Sequence, residues 1–263
     1  MSAQEFQGRA GVVTGGGSGI GAASARRLAR GGAAIAIGDI DLSAAERIAD
    51  EIRSEGGSAV ALTVDVSDER ATSAFVEAAA EALGPLTFAH VNASTMVPGG
   101  DLLQIPIEKW DFTFSVNCRG AFLTARALLQ HMTSHGLPSS LCFTGSDTAL
   151  RTSKAYPAYL ASKHAVIGIA RSIAMDFGER GIRSNVVTPG VTDTPGLRSL
   201  YSTAGLDPDD MIAQQATFSV LGRIAQPGDL AEAVAFLCSD RAPFITGANL
   251  VVDGGMTVRY DAE

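Results

Sequence analysis

Tyr159-Leu-Ala-Ser-Lys163 sets a phenol and an amine four residues apart, so on a helix the two side chains share one face. A free tyrosine has a pKa of about 10 and is a poor base at neutral pH. A neighbouring ammonium favours the phenolate and lowers that pKa. A drop of about three units needs roughly 4 kcal/mol, which one or two close cations in a desolvated pocket can supply. Ser146 stands 13 residues before Tyr159, just after an apolar run. Its hydroxyl can hydrogen-bond a substrate oxygen. The three groups together predict proton transfer at a substrate oxygen. Tyr156 lacks the amine, because Leu160 follows it four residues on. On its own, a Tyr-x-x-x-Lys pair is more often an amphipathic pair with a snorkelling lysine. Its surroundings decide.

Thr14-Gly-Gly-Gly-Ser-Gly-Ile-Gly21 supplies those surroundings. Gly15, Gly19 and Gly21 are spaced G-x-x-x-G-x-G, and no register fits G-x-G-x-x-G. The physical task is the same: the backbone turns sharply, approaches a pyrophosphate and presents the free N–H groups of a helix start. Gly15, Ser18, Gly19, Ile20 and Gly21 are the expected cradle. Asp39 ends the next apolar run, 20 residues after Gly19, with Ile40 beside it. A carboxylate there can accept hydrogen bonds from both ribose hydroxyls of an adenosine and repels a 2′-phosphate. Gly38 and Ile40 flank it and Ser18 sits in the loop, so these positions offer no cation. The expected cofactor is NAD. Asp39 could instead cap a helix, but Asp41 and Ser43 already meet that need.

The elements that position these residues alternate along the chain. Strands are expected at 10–14, 33–38, 59–64, 86–91, 140–144, 182–188 and 248–252. Helices are expected at 19–30, 43–55, 69–83, 108–135, 156–179 and 228–238. Ala44, Ile48 and Ile52 show the four-residue helical repeat. Near-continuously apolar strands separated by helices predict an α/β, doubly wound Rossmann-type fold, with helices on both faces of a parallel sheet. No linker divides residues 1–263, so one domain is expected. Within it, residues 193–226, broken by Pro195, Gly196, Gly205, Pro208 and Gly222, read as a substrate lobe or as a plain surface insertion.

Composition narrows the rest. The chain has 263 residues, 46% of them hydrophobic, and a formal net charge of -8. An acidic chain repels phosphate backbones, so nucleic-acid and anionic-membrane binding are not expected. No apolar run is long enough to span a bilayer, and the polar start of the chain has no signal-peptide core. A cytoplasmic protein is expected. Cys118, Cys142 and Cys238 are scattered and read as reduced thiols. The four histidines lack zinc spacing, so no metal is expected. There is no G-x-S-x-G nucleophile elbow and no G-x-x-x-x-G-K-[ST] phosphate loop.

Over roughly residues 6–257 the sequence resembles the classical short-chain dehydrogenase/reductase family. The glycine loop at 14–21 matches its cofactor loop, and Ser146, Tyr159 and Lys163 match three of its catalytic positions. Asn117 stands where the family has a catalytic asparagine. Asp65-Val66 resembles its adenine contact, and Val91-Asn92-Ala93-Ser94 loosely matches its N-N-A-G segment. Pro189-Gly190-Val191-Thr192-Asp193-Thr194 resembles the segment that holds the nicotinamide carboxamide, with Thr192 making its contact through the backbone. Ile245 to Gly254 resembles the family's last strand.

The resemblance implies a seven-stranded parallel sheet in the order 3-2-1-4-5-6-7. It implies that Tyr159 carries the substrate proton, Lys163 holds the ribose and lowers the phenol pKa, Ser146 orients the substrate oxygen, and Asn117 positions a relay water. It also implies a homotetramer. Two departures stand out: Val91 loses a side chain that ties strands together, and Ser94 adds bulk beside the cofactor. The expected function is NAD-dependent interconversion of a secondary alcohol and a ketone. Alternatives are a catalytically silent NAD(H)-binding sensor or scaffold, and a non-redox lyase or epimerase on the same scaffold. Met96, Thr148, Leu150, Tyr156, Val191, Leu197, Tyr201, Met211 and Phe218 are the expected, mostly apolar substrate walls.

Overall fold

The computed structural model describes residues 4–152 and 154–259. Its strands are β1 (Ala10–Thr14), β2 (Ala34–Asp39), β3 (Ser58–Thr63), β4 (Leu86–Val91), β5 (Ser139–Thr144), β6 (Ile182–Pro189) and β7 (Asn249–Val252). All pair in parallel in one seven-stranded sheet, ordered β3-β2-β1-β4-β5-β6-β7. The order reverses at β1, where the chain leaves first for one edge and then for the other. The crevice at that reversal, beyond the carboxyl ends of the strands, is where open α/β sheets bind ligands.

Alternation along each strand builds the two faces. Val12, Ala36, Ala89, Leu141, Phe143 and Val186 point into one core, beneath α3 (Glu69–Leu83), α5 (Gly120–His135) and α6 (Pro157–Phe177). Their neighbours Val13, Ile35, Ile37, Phe88, Cys142 and Val187 point into the other, beneath α1 (Gly19–Arg30), α2 (Leu42–Ser54) and α9 (Pro227–Cys238). Full burial of each large apolar side chain contributes about 1.5–3 kcal/mol. Both faces of the central strands β1, β4 and β5 are covered, which is why their sequence runs lack clean alternation.

The helix expected over 108–135 is interrupted. α4 (Ile107–Phe114) passes into a wider π-helical stretch, Ser115–Arg119, before α5 begins. The Gly120 N–H reaches back five residues to the Ser115 carbonyl. Residues 193–226 hold two short helices, α7 (Pro195–Thr203) and α8 (Pro208–Ala216). Arg198 clamps this segment through Asp193 (2.6 Å) and Asp209 (2.8 Å). Among the described residues, no helix is long and apolar enough to cross a membrane.

Candidate active site

A cavity of about 1070 Å³ runs across the carboxyl ends of the strands. The glycine loop forms one end. Gly15 and Gly19 adopt left-handed φ values of 63° and 52°, which only glycine takes at little cost. α1 begins at Gly19 with no acidic residue in its first turn, and the Ser18 hydroxyl makes no capping bond. The first N–H groups of α1 therefore face the cavity end uncapped, an anion-binding arrangement. Asp39 is fixed beside the loop: Oδ2 accepts the Gly17 N–H at 2.9 Å and Oδ1 accepts the Asp41 N–H at 3.1 Å. Asp41 is the residue that caps α2, accepting the Ala44 N–H, so Asp39 is not needed for that task.

Gly15, Ser18, Gly19, Ile20, Asp39, Ile40, Asp65, Val66, Asn92, Ala93, Ser94, Pro189, Gly190, Thr192 and Thr194 all line the cavity, and so do Ser146, Tyr159 and Lys163. Two expected site residues do not. At Gly21 a Cβ would sit 2.0 Å from the Gly15 carbonyl oxygen; it permits close packing and is not part of this lining. Asn117 is 1% exposed in the π-helical stretch. Its Oδ1 accepts the Thr95 N–H at 2.7 Å, and its Nδ2 donates to the Thr95 carbonyl and Ser162 Oγ. Its side chain clamps the loop after β4. Of the expected substrate walls, Leu150 and Met211 lie outside the lining, and Leu150 is half exposed to solvent.

Ser146 follows β5 and opens a short 3-10 turn, Asp147–Ala149. Its Oγ accepts the Thr148 N–H at 3.2 Å and the Thr148 hydroxyl hydrogen at 2.9 Å. Its own hydrogen makes a long bond to Asp147 Oδ1 at 3.4 Å, and donation into the oxygen polarises the hydroxyl further. Asp147, 5% exposed, pairs with Arg151 at 2.7 Å. Burial raises its carboxyl pKa against the opposing pull of Arg151.

Tyr159 and Lys163 share the cavity face of α6, with Lys163 Nζ 5.5 Å from the Tyr159 ring centre. Nζ donates to the Thr144 carbonyl at 2.9 Å. Burial lowers the ammonium pKa to about 8. The phenol goes the other way from the expectation: burial pushes it up to about 12, opposed by the hydrogen bond from Ser146 and reinforced by the Asp147 charge. Desolvation of the phenolate outweighs the nearby amine in this structure.

Two features were missed in the sequence. First, His90, fully buried on β4, has Nε2 2.8 Å from Thr144 Oγ1. Thr144 spends its single hydrogen on Asn92 Oδ1 at 3.0 Å, and Asn92 Nδ2 donates to the Thr14 and Gly15 carbonyls. His90 Nε2 must therefore carry the hydrogen and Nδ1 the lone pair. This chain ties β1, β4 and β5 to the glycine loop, a tie that Val91 cannot make. The signal was a lone histidine in an apolar strand, which reads equally well as core. Second, Arg47 donates Nη2 to the Gly17 carbonyl at 3.2 Å. A cation does stand near Asp39, but it sits behind the loop and not in the cavity lining.

The sheet order, the crevice and the uncapped helix start define a doubly wound α/β protein with a ligand cavity at its topological switch point. Comparison with known proteins narrows the class. Residues 15–257 match the family described as Enoyl-(Acyl carrier protein) reductase. The chain is 37% identical over 254 residues to cis-4-hydroxycyclohexanecarboxylate dehydrogenase of Sinomonas cyclohexanicum, covering 97% of this chain and 98% of that one. It is 34% identical over 256 residues to 2,5-dichloro-2,5-cyclohexadiene-1,4-diol dehydrogenase LinX of Sphingobium indicum, covering 97% and 99%. A short-chain type dehydrogenase/reductase from Mycobacterium marinum superimposes with a TM-score of 0.90 at 28% identity, covering 97% of each chain. The protein belongs to the short-chain dehydrogenase/reductase family, oxidoreductases that bind nicotinamide cofactors.

Proposed function

We propose that the protein is an NAD-dependent dehydrogenase that interconverts an alicyclic secondary alcohol and its ketone, with Tyr159 as general acid/base. The observation that carries this reading is one cavity with a dinucleotide cradle at one end and Ser146, Tyr159 and Lys163 at the other. The alicyclic substrate is supported by the ring alcohols named for its relatives and by the apolar side chains of Met96, Leu197 and Phe218 in the lining. α7 and α8 act as the substrate lobe of a single domain.

Bound along the cradle, oxidised nicotinamide supplies the hydride acceptor and a positive charge near the phenol. The other steps fall to side chains. Ser146 turns its hydrogen from the long bond to Asp147 to the substrate oxygen. Tyr159 takes the hydroxyl proton as the carbinol C–H bond breaks, and returns it in the reverse direction. Lys163, held on the Thr144 carbonyl, contacts the ribose and stabilises the phenolate. Asn117, its side chain committed to Thr95 and Ser162, positions a relay water behind Lys163. Asp39 accepts the ribose hydroxyls with its remaining lone pairs and repels a 2′-phosphate. The reading extends to a homotetramer, supported by exposed Phe122 and Met175 and by the open edge of β7. The acidic composition and three free thiols suit a reducing cytoplasm.

Titration of the protein with NADH and with NADPH tests the cofactor assignment. NADH should bind at least about tenfold more tightly, a difference of about 1.4 kcal/mol, and Asp39→Ala should shrink that preference by weakening NADH. Equal binding of the two, or a preference unchanged in Asp39→Ala, would remove Asp39 from the role.

A further inference from the structure

The substrate end of the cavity carries one feature that apolar walls do not explain. Arg151 lines it together with Ser146, Tyr156, Tyr159, Tyr201 and Phe218. Its side chain remains 38% exposed. The guanidinium is held along one edge: Nε lies 2.8 Å and Nη2 2.7 Å from Asp147 Oδ2. Nη2 also approaches Met256 Sδ at 3.6 Å, a weak acceptor. Nη1 has no partner among the described residues, so the end of the guanidinium carries unused donors. Lys163, the other cation in the lining, is 2% exposed and committed to the Thr144 carbonyl. Of the lining carboxylates, Asp39 and Asp65 stand at the cradle end, and Asp147 is 5% exposed behind Arg151.

A buried acid thus fixes a planar, permanently charged fork at the wall of a substrate cavity, with unused donors at its end. Such a head loses little freedom on binding and matches a carboxylate in geometry and charge. We propose that Arg151 is a specificity residue that binds an anionic substituent, a ring carboxylate, on the alcohol substrate. The proposal rests on the alcohol dehydrogenase reading above and deepens it: the substrate is a hydroxylated alicyclic acid. The carboxylate sits at Arg151 and the reacting carbinol at Ser146 and Tyr159.

The test separates the two readings by using unreactive ligands. The NADH complex is titrated by calorimetry with cyclohexanecarboxylate and with its neutral counterpart, cyclohexanecarboxamide. The wild type should bind the carboxylate at least about tenfold more tightly. In Arg151→Met that ratio should fall to about one. Because that variant leaves the buried Asp147 charge without its partner, Asp147→Asn/Arg151→Met is measured beside it and should lose the preference equally. Equal affinities in the wild type, no detectable carboxylate binding, or a preference that survives in either folded variant would overturn the proposal. A parallel assay with cyclohexanol and NAD reports on the parent reading. Carboxylate preference without turnover of any alcohol would overturn the dehydrogenase reading and leave the anion site standing. Turnover of cyclohexanol without carboxylate preference would overturn only the role of Arg151.

Discussion

His90 has no contact with solvent, and the hydrogen on its Nε2 sets the direction of every bond from Thr144 to the glycine loop. Its burial has a cost in acid. Desolvation, with Lys163 adding repulsion, holds its pKa at about 3 against an ordinary 6.5. Between those values the unfolded chain binds a proton that the folded chain refuses. Stability is therefore full above pH 6.5 and falls as pH drops toward 3, by up to about 1.4 kcal/mol per pH unit from this residue. Denaturant unfolding at pH 7 and at pH 4.5 should show a smaller acid loss in His90→Asn than in the wild type. Parallel losses in the two proteins would show that His90 does not titrate in this window. The chemistry of Tyr159 and Lys163 was legible from four-residue spacing and helix geometry. Their environment was not. Spacing brings an amine near a phenol, but only the packed structure shows that burial dominates the phenol, and that the Thr148 hydroxyl donates to the Ser146 oxygen.

At the scale of elements, the start of α1 has the strictest requirement. The loop must return so closely that Gly21 leaves no room for a methyl group against the Gly15 carbonyl oxygen. Gly21→Ala should displace the loop and weaken NADH binding by about tenfold or more, or about 1.4 kcal/mol, although Gly21 itself is outside the lining of this cavity. A titration giving NADH affinity within a factor of about three of the wild type would contradict this reading of the turn. Strand positions were legible to within a residue or two, because both faces of the sheet demand apolar runs. The π-helical stretch was not legible. Ser115–Arg119 holds no glycine or proline that would announce an interruption, and a bond that skips to the fifth residue leaves no mark on spacing. Asn117 was the one clue: a poor helix former in the middle of a helix, here clamped on Thr95.

Over the whole molecule, alternating elements were enough to give a parallel, doubly wound sheet with two covered faces, whereas the strand order came from the family resemblance. The residues that meet at the switch point come from all along the chain, from Gly15 to Phe218. The motif segments among them were recognisable because their chemistry needs particular residue types. Arg151 and Gln215 were not recognisable, because only the path of the connecting segments brings them to the cavity, and no spacing rule encodes that path. The account rests on one joint claim, that this cavity moves a hydride between a secondary alcohol and NAD while Tyr159 carries the proton. The most direct test is NADH formation from cyclohexanol and NAD by the wild type and by Tyr159→Phe, with NADH binding measured on both. The account predicts turnover in the wild type, a loss of about 10²–10⁴-fold in the variant, as expected for removal of a general acid/base, and nearly equal NADH binding. A variant that turns over at a rate close to the wild type would contradict it.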